Sequence, residues 1–452
     1  MGKIRSAIRI VIIVPDCGEG GLFQFYNSVV PTLTDAAEVH LVFASPTHSS
    51  LVPRISGATC HKLPPESAAP ILAQLLDGPL AVAPNLAQAL AAACNAWNFA
   101  RSLGPECIET CDWPLGAIPG VIDGSVPMIV QLHGSMAQIA DHDPVPGGAV
   151  EGIMLQLIET QVLGLAQNVQ TYSKANAEFW EQTVGRLVSM IRPAFPLPDL
   201  PAAPAALADR MSIFGRLQSW KGPHVLCAAL EHLGDAAPDC DWYGSSKGWP
   251  GSSKQATGYL ARAFPAVWNH SLHYHGPIDR DQVAGRMAQS RAVIVPSTWD
   301  VFNFTVVEAM ATGRPVIVSS GAGASELIEH GVNGFTFPVG DDKALADAIA
   351  ITLALSNNEM LAIGAAARAT IQRDLDSARI VAERLAAYER AIAAHSKAPP
   401  SPAPDWLSDL LTPGKLRNFD MQEFFSTLPL RPMLAASAVR ISDKVIPRRH
   451  PR

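Results

Sequence analysis

Residues 296–335 read PSTWDVFNFTVVEAMATGRPVIVSSGAGASELIEHGVNGF. The apolar, β-branched run RAVIVPS leads into this stretch, and such a run reads as a strand buried on both faces of a parallel sheet. Asp300 follows that strand, at the end where open α/β sheets bind ligands. The pattern of FTVVEAMAT predicts a helix starting near Phe304 or Thr305, with Glu308 in its first turn, where a carboxylate suits the helix dipole. RPVIVSS reads as a second buried strand. GAGASELI, after it, reads as a glycine turn opening another helix, with free N–H groups facing a ligand. Asp300 and Glu308 are thereby placed to grip two parts of one molecule. An isolated Asp and Glu at this spacing serve as caps or solubilising charges in any α/β protein, so the neighbouring segments decide.

Working outward, the second half repeats one unit. MSIFGRL, CDWYGSS and SLHYHGPI read as strands, and helices are expected around KGPHVLCAALEHLG, DRDQVAGRMAQ and SELIEH. The first half opens with IRIVIIV, the turn PDCGEGGL, a helix over FQFYNSVVPTLTDA and a strand EVHLVFA, a unit that calls for a parallel sheet with right-handed crossovers. VPMIVQLHG, a helix from about Val150 to Ala166, and NVQTYSKAN continue it. Pro193, Pro196, Pro198, Pro201 and Pro204 mark a linker. The expected organisation is an N-terminal Rossmann-like domain over 1–197 and a C-terminal one over 208–395. Beyond a second proline-rich joint, a tail over 396–452 packs back on the first domain through aromatics such as Trp406, Phe419, Phe424 and Phe425. Two such halves imply a cleft between them.

The composition excludes several classes. A chain of 452 residues, 48% hydrophobic and 17% charged, is that of a folded protein of two or three domains. Its net charge of −7 gives no general support for nucleic-acid binding. The seven cysteines are scattered with no C-x-x-C pair; Cys107 and Cys111 are spaced to share a helix face, but no partner stands at zinc-site spacing. Reduced thiols in a cytoplasmic protein are the simplest account. The N-terminal apolar run is short and interrupted by Arg9, unlike a signal peptide, and no run of 18 apolar residues is present.

Several motifs bear chemistry. CGEGG, with Gly20 and Gly21, serves either as a phosphate-approach turn or as a plain tight turn. In FGRLQSWKG, Arg216 and Lys221 stand across a strand-to-helix turn, a fork and a point charge able to neutralise a diphosphate. His133 ends a buried strand, where a lone histidine is more often a hydrogen-bonded rim residue than a catalyst. The Asp141/Asp143 and Asp279/Asp281 triplets resemble a cation site on a nucleotide sugar, but helix capping is the stronger reading of the second. No Walker loop is present.

Taken in order, FGRLQSWKG, HGPI, VPSTWD, VVEAMATGRPVIVSS, GASELIEHG and NGFTFPVGD resemble the retaining glycosyltransferases of family four over most of residues 8–395. The resemblance implies an α/β, GT-B fold: two Rossmann-like domains with parallel sheets facing a central cleft. It also implies metal-independent transfer of a sugar, with retention, from a nucleotide-sugar donor to an acceptor hydroxyl on a glycan, lipid-linked glycan or small molecule. The donor is a co-substrate rather than a cofactor, and the residues do not decide between UDP- and GDP-linked sugars. By position, Arg216 and Lys221 would stabilise the leaving diphosphate, and Glu308 would bind the ribose. Asp300 with the backbone of Phe302, Asn303 and Phe304 would hold the donor sugar, His133 would lie beside it, and Gly20 and Gly21 would admit the phosphates. The family pattern at this turn is E-G-F-G, whereas this chain has Asp300, Val301, Phe302 and Asn303. The shorter acid and the bulk of Asn303 imply an unusual donor sugar, altered placement or weakened turnover.

Two other readings stand beside this one. An epimerase or phosphorylase on the same fold would use the same donor class, and a nucleotide-sugar-binding protein that has lost turnover would keep the fold alone. The basic residues Arg431, Arg440, Lys444, Arg448 and Arg449 are a candidate contact with an anionic membrane surface, against a solvated end as the simpler account.

Overall fold

The computed structural model describes residues 7–15, 21–44, 54–142, 148–198, 209–250, 252 and 254–414. Each half is a parallel sheet flanked by helices. In the first, strands β1 (Ile8–Val14), β2 (Ala37–Phe43), β3 (Thr59–Lys62), β4 (Cys107–Cys111), β5 (Met128–Gln131), β6 (Asn168–Thr171) and β7 (Ser189–Met190) lie in the order β3-β2-β1-β4-β5-β6-β7. The second comprises β8 (Met211–Phe214), β9 (Cys240–Tyr243), β10 (Leu272–Gly276), β11 (Val293–Val295), β12 (Val316–Ser319) and β13 (Phe335–Phe337), in the order β10-β9-β8-β11-β12-β13. IRIVIIV forms β1 because a strand covered on both faces accepts apolar side chains at every position; Ile10, Ile12 and Val14 enter one core cluster and Val11 and Ile13 another. The same logic buries VIV of β11 and VIVS of β12 completely.

Each strand order reverses once, between β1 and β4 and between β8 and β11. At such a switch point the loops leaving adjacent strands diverge and open a crevice at their carboxyl ends. The two crevices face each other. Ser173, after β6, donates from its hydroxyl to the carbonyl of Val301 at 2.7 Å. The N–H groups of Lys174 and Ala175 donate to Glu326 at 3.0 and 2.9 Å.

Three expectations need correction. Cys107 and Cys111 begin and end β4 rather than sharing a helix face, because CIETC supplies the central sheet position beside β1. The helix Ser377–Lys397, expected in the C-terminal domain, packs on β4, β5 and the helix Gly21–Leu33 of the N-terminal one. Its apolar stripe of Ile380, Val381, Ala387, Tyr388 and Ala391 finds its cover there. Finally, SELIEH forms only a short 3-10 turn, Gly323–Leu327. Of the tail, Trp406, Leu407 and Leu410 are buried in the N-terminal core, while Phe419, Phe424, Phe425 and the basic residues named above fall outside the described residues. Among the described residues no single helix is long and apolar enough to cross a membrane.

Candidate active site

Lys221 and Asp300, both singled out in the sequence, meet at the β8–β11 switch point, with Arg216 on the same loop as Lys221. The loop from β8 carries Arg216 and Lys221, and the loop from β11 carries Asp300. The two loops are joined by the N–H of Thr298, which donates to the carbonyl of Trp220 at 2.9 Å. Gly222 permits this approach: its φ is +73°, and a Cβ there would lie 1.8 Å from the carbonyl oxygen of Pro296. The Lys221 ammonium bonds the Asp300 carboxylate, with the two side chains 19% and 15% exposed. It also sits 4.7 Å from the centroid of the Trp220 ring, over which Arg216 lies at 5.9 Å. Arg216 has no carboxylate partner among the described residues. Among the described residues one cation is therefore balanced by a carboxylate and the other is not.

The acceptor-rich loop after Asp300 is fixed from behind. The N–H groups of Gly323 and Ala324 donate to the carbonyls of Asp300 and Phe302 at 3.0 and 2.6 Å, and Gly321 donates to Ser319. These amides were expected to be free for a ligand. They are not: those of Gly323 and Ala324 hold the Asp300 loop in place, and that of Gly321 is taken by Ser319. The N–H groups of Phe302, Asn303 and Phe304, by contrast, meet no acceptor among the described residues.

Asn303 explains how the turn survives without its second glycine. It adopts φ +78°, a left-handed conformation that Asn tolerates better than most residues. Its side-chain oxygen caps the helix Phe304–Ala311 by accepting from Thr305 N–H at 3.1 Å, and its amide donates to Ser297 at 3.2 Å. That start makes Glu308 the fifth helical residue, one place beyond the first turn expected for it. Glu308 accepts from Arg280 at 3.1 Å and is 22% exposed. Burial pushes its carboxyl above the ordinary range, against the pull of Arg280.

The N-terminal domain closes the other side. Gly21 begins the helix Gly21–Leu33, and a Cβ on it would lie 4.0 Å from the Phe304 ring. Gly20 lies outside the described residues, as does Asp143. His133 follows β5, and its N–H and that of Gly134 donate to Asp112 at 3.0 and 3.1 Å. Burial pushes Asp112 up to about 6 despite those bonds. Gly134 stands against Val301 and Trp299, so a Cβ there would meet them at 3.5 and 3.6 Å. The rings of Tyr26 and Tyr172 contact His133, and Tyr172 also faces Phe302 and Phe304. His142 stacks on Trp299 at 4.7 Å, and Trp299 lies 5.2 Å from Trp220, an aromatic seam across the cleft.

Sequence reasoning passed over Arg280, Asp112, Tyr26, Tyr172 and this aromatic seam. Asp112 follows directly on β4, a strand whose buried acid hid it from the sequence. The partners of Glu308 and His133 come from distant segments and leave no local trace. Asp279 is the N-cap residue of the helix Arg280–Gln289, and Asp281 lies in its first turn. No cluster of three or more metal-ligating side chains occurs among the described residues.

Known proteins resemble this chain in sequence and in fold. Residues 208–354 match the family described as glycosyl transferases group 1. D-inositol 3-phosphate glycosyltransferase from Xylanimonas cellulosilytica is 26% identical over 267 residues, spanning 55% of this chain and 63% of that protein. Glycogen synthase from Mycobacterium tuberculosis is 25% identical over 259 residues, spanning 55% and 60%. Each match thus spans less than two thirds of the relative. Among solved structures, Anabaena HepE in complex with UDP and glucose superposes with a TM-score of 0.62 at 19% identity, over 84% of this chain and 99% of that one. Sucrose-phosphate synthase from Thermosynechococcus elongatus gives 0.65 at 18%, over 86% and 100%. The chain has the GT-B fold, and its match to the glycosyl transferases group 1 family lies over residues 208–354.

Proposed function

We propose that this protein is a retaining glycosyltransferase that moves a sugar from a nucleotide-sugar donor to an acceptor hydroxyl without a metal ion. The observation that carries the reading is the Lys221–Asp300 pair at the β8–β11 switch point, beside Arg216, which has no carboxylate partner among the described residues. Two cations there are placed for a diphosphate, the leaving group whose charge grows as the bond to the sugar breaks. Glu308, in this reading, accepts from the ribose hydroxyls, and the amides of Phe302 to Phe304 meet the donor sugar. Asp300 orients Lys221 and offers its second oxygen to the sugar. Gly21 admits the phosphates from the first domain.

The acceptor enters from the N-terminal side, where the β1–β4 crevice is lined by Ile13, Thr110, Trp113 and alanines of the helix Pro84–Ser102. Its hydroxyl oxygen attacks the anomeric carbon on the face from which the diphosphate departs. The bonding electrons pass to the phosphate oxygen, which takes the hydroxyl proton, so no side-chain base is needed. Arg216 and Lys221 supply the charge stabilisation for which other transferases employ a cation. Solved UDP complexes of Anabaena HepE support the donor class by likeness of fold alone.

A nucleoside-diphosphate release assay over UDP- and GDP-linked sugars, run with an acceptor panel, tests the proposal. Release that depends on acceptor and vanishes in Lys221→Ala and Glu308→Ala supports it. Full activity in both variants overturns the site assignment, and tight nucleotide binding without transfer to any acceptor points to a binding protein.

A further inference from the structure

An unbroken hydrogen-bond path runs from the return helix Ser377–Lys397 to His133. Arg384 on that helix pairs with Glu109 of β4, and the two side chains are 1% and 0% exposed. Arg384 also donates to Gln131 at 3.1 Å and to the Tyr388 hydroxyl at 3.2 Å, and that hydroxyl donates to the same Glu109 oxygen, Oε2. The other oxygen, Oε1, accepts from the hydroxyl of Tyr26 at 3.0 Å. Tyr26 Oη lies 3.3 Å from His133 Nε2, and the Tyr172 hydroxyl bonds Nδ1.

Counting protons along this path leaves one arrangement. Arginine is a cation throughout the working pH range, and the carboxylate facing it has only lone pairs to offer. The single hydroxyl proton of Tyr26 therefore goes to Glu109, and toward His133 Tyr26 presents a lone pair. Nε2 must then carry the ring hydrogen, and Nδ1 accepts from Tyr172. The other tautomer would set the lone pairs of Nε2 and Tyr26 against each other. The imidazolium is opposed by burial and by the charge of Arg384, which together hold His133 well below the usual imidazole range.

We propose that Tyr26, Glu109 and Arg384 are positioning residues that hold His133 as the neutral, Nε2-protonated ring at the wall of the donor-sugar site. The purpose of this device rests on the transferase reading; the tautomer itself does not. His133 is consequently neither a general acid nor a general base, since both nitrogens are engaged. Its ring is a fixed strut behind Gly134, which abuts Val301 and Trp299 beside Asp300. Because Arg384 arrives on the return helix, the seating of that helix and the state of His133 are coupled: without Arg384 the Glu109 carboxylate loses its cation and the relay its anchor.

The test is a long-range 15N–1H spectrum of the full chain labelled in histidine, with the His133 signals assigned by their loss in His133→Asn. Wild type should show the neutral Nε2–H tautomer alone between pH 6 and 8. Tyr26→Phe, which removes one oxygen and keeps the ring, should mix the tautomers. It should also lower kcat and kcat/KM together, roughly tenfold or more, while donor KM stays within about twofold, as expected when positioning is expressed in the transition state. Arg384→Lys, which keeps the charge, should retain more of the wild-type tautomer than Arg384→Met. An Nδ1–H or cationic His133 in wild type overturns the proposal, and that spectrum decides even where a variant fails to fold. An unchanged tautomer in Tyr26→Phe, or a changed one with unchanged kcat, overturns it as well. The predicted spectrum in a protein that transfers no sugar would count against the transferase reading and leave the relay standing.

Discussion

The ammonium of Lys221 is bonded to the carboxylate of Asp300 across the β8–β11 switch point, each group projecting from a different strand-end loop. In the proposed site the pair holds a cation where the diphosphate would lie before a donor arrives, and a pre-placed charge needs no reorganisation during the reaction. Lys221→Ala is expected to lower kcat by about 10²–10³-fold, the usual scale for one oriented stabilising group. Circular dichroism and thermal unfolding should be nearly those of wild type, because both side chains lie at the cleft rather than in the core. Asp300→Asn should fall less far, since the ammonium remains. Steady-state kinetics of the two variants check this order.

The Arg280–Glu308 pair predicts a pH effect. Burial raises the Glu308 carboxyl and Arg280 opposes that rise, so removing Arg280 leaves burial to act alone. In the role proposed for Glu308, the ionised carboxylate is the form that would accept from two ribose hydroxyls. In Arg280→Ala, donor affinity should therefore begin to fall at a higher pH than in wild type as the solution is acidified. Titration calorimetry with UDP- and GDP-linked sugars across pH 5 to 8 would measure the displacement. An unmoved or downward-moved acid limb would contradict the role given to Glu308.

Asn303 separates backbone geometry from capping. Asn303→Gly keeps access to φ +78° and loses the side-chain cap, which glycine replaces at a cost of a few tenths of a kcal/mol. Asn303→Ala loses the cap and strains the backbone, at about 1 kcal/mol for each. Unfolding free energies from urea curves should thus rank wild type and Gly close together and Ala about 2 kcal/mol lower. Should Ala match Gly, the left-handed turn would not be the reason for Asn at this position.

Asp112 gives a stability signature. Its carboxyl is raised by burial to about 6, so the folded state binds the proton more tightly than the unfolded one between the ordinary carboxylate range and that value. The associated stability is present at low pH and is lost as pH rises toward and through about 6. Relative to Asp112→Asn, which does not titrate, wild type should lose roughly 2–3 kcal/mol between pH 4 and 7. Paired chemical unfolding curves at several pH values test the sign, and a relative gain with pH would contradict it.

How much of this was legible beforehand depends on how local each cause is. The two parallel sheets were readable because β1, β11 and β12 are runs of β-branched residues bounded by turns, a pattern few other structures accept. Arg216, Lys221 and Asp300 were readable for the same reason, since each sits a fixed few residues beyond such a strand. β4 was not anticipated as a strand, because CIETC contains an acid whose burial makes sense only with Arg384 across from it, far along the chain. The return helix was assigned to the wrong domain because its periodicity announces an apolar face without naming the surface that covers it. The amides of the Gly321–Ala324 turn were misjudged on similar grounds: glycine spacing shows that N–H groups are accessible, not which acceptor claims them.

The central claim is transfer with retention, and the anomer first released reports on it most directly. The full chain, incubated with an α-linked nucleotide sugar and the best acceptor of the panel, or with water when none is taken, is followed by 1H NMR from the first minutes. With retention, the new sugar signal appears in the α configuration, together with free nucleoside diphosphate, and Lys221→Ala produces neither. A first product in the β configuration would contradict it.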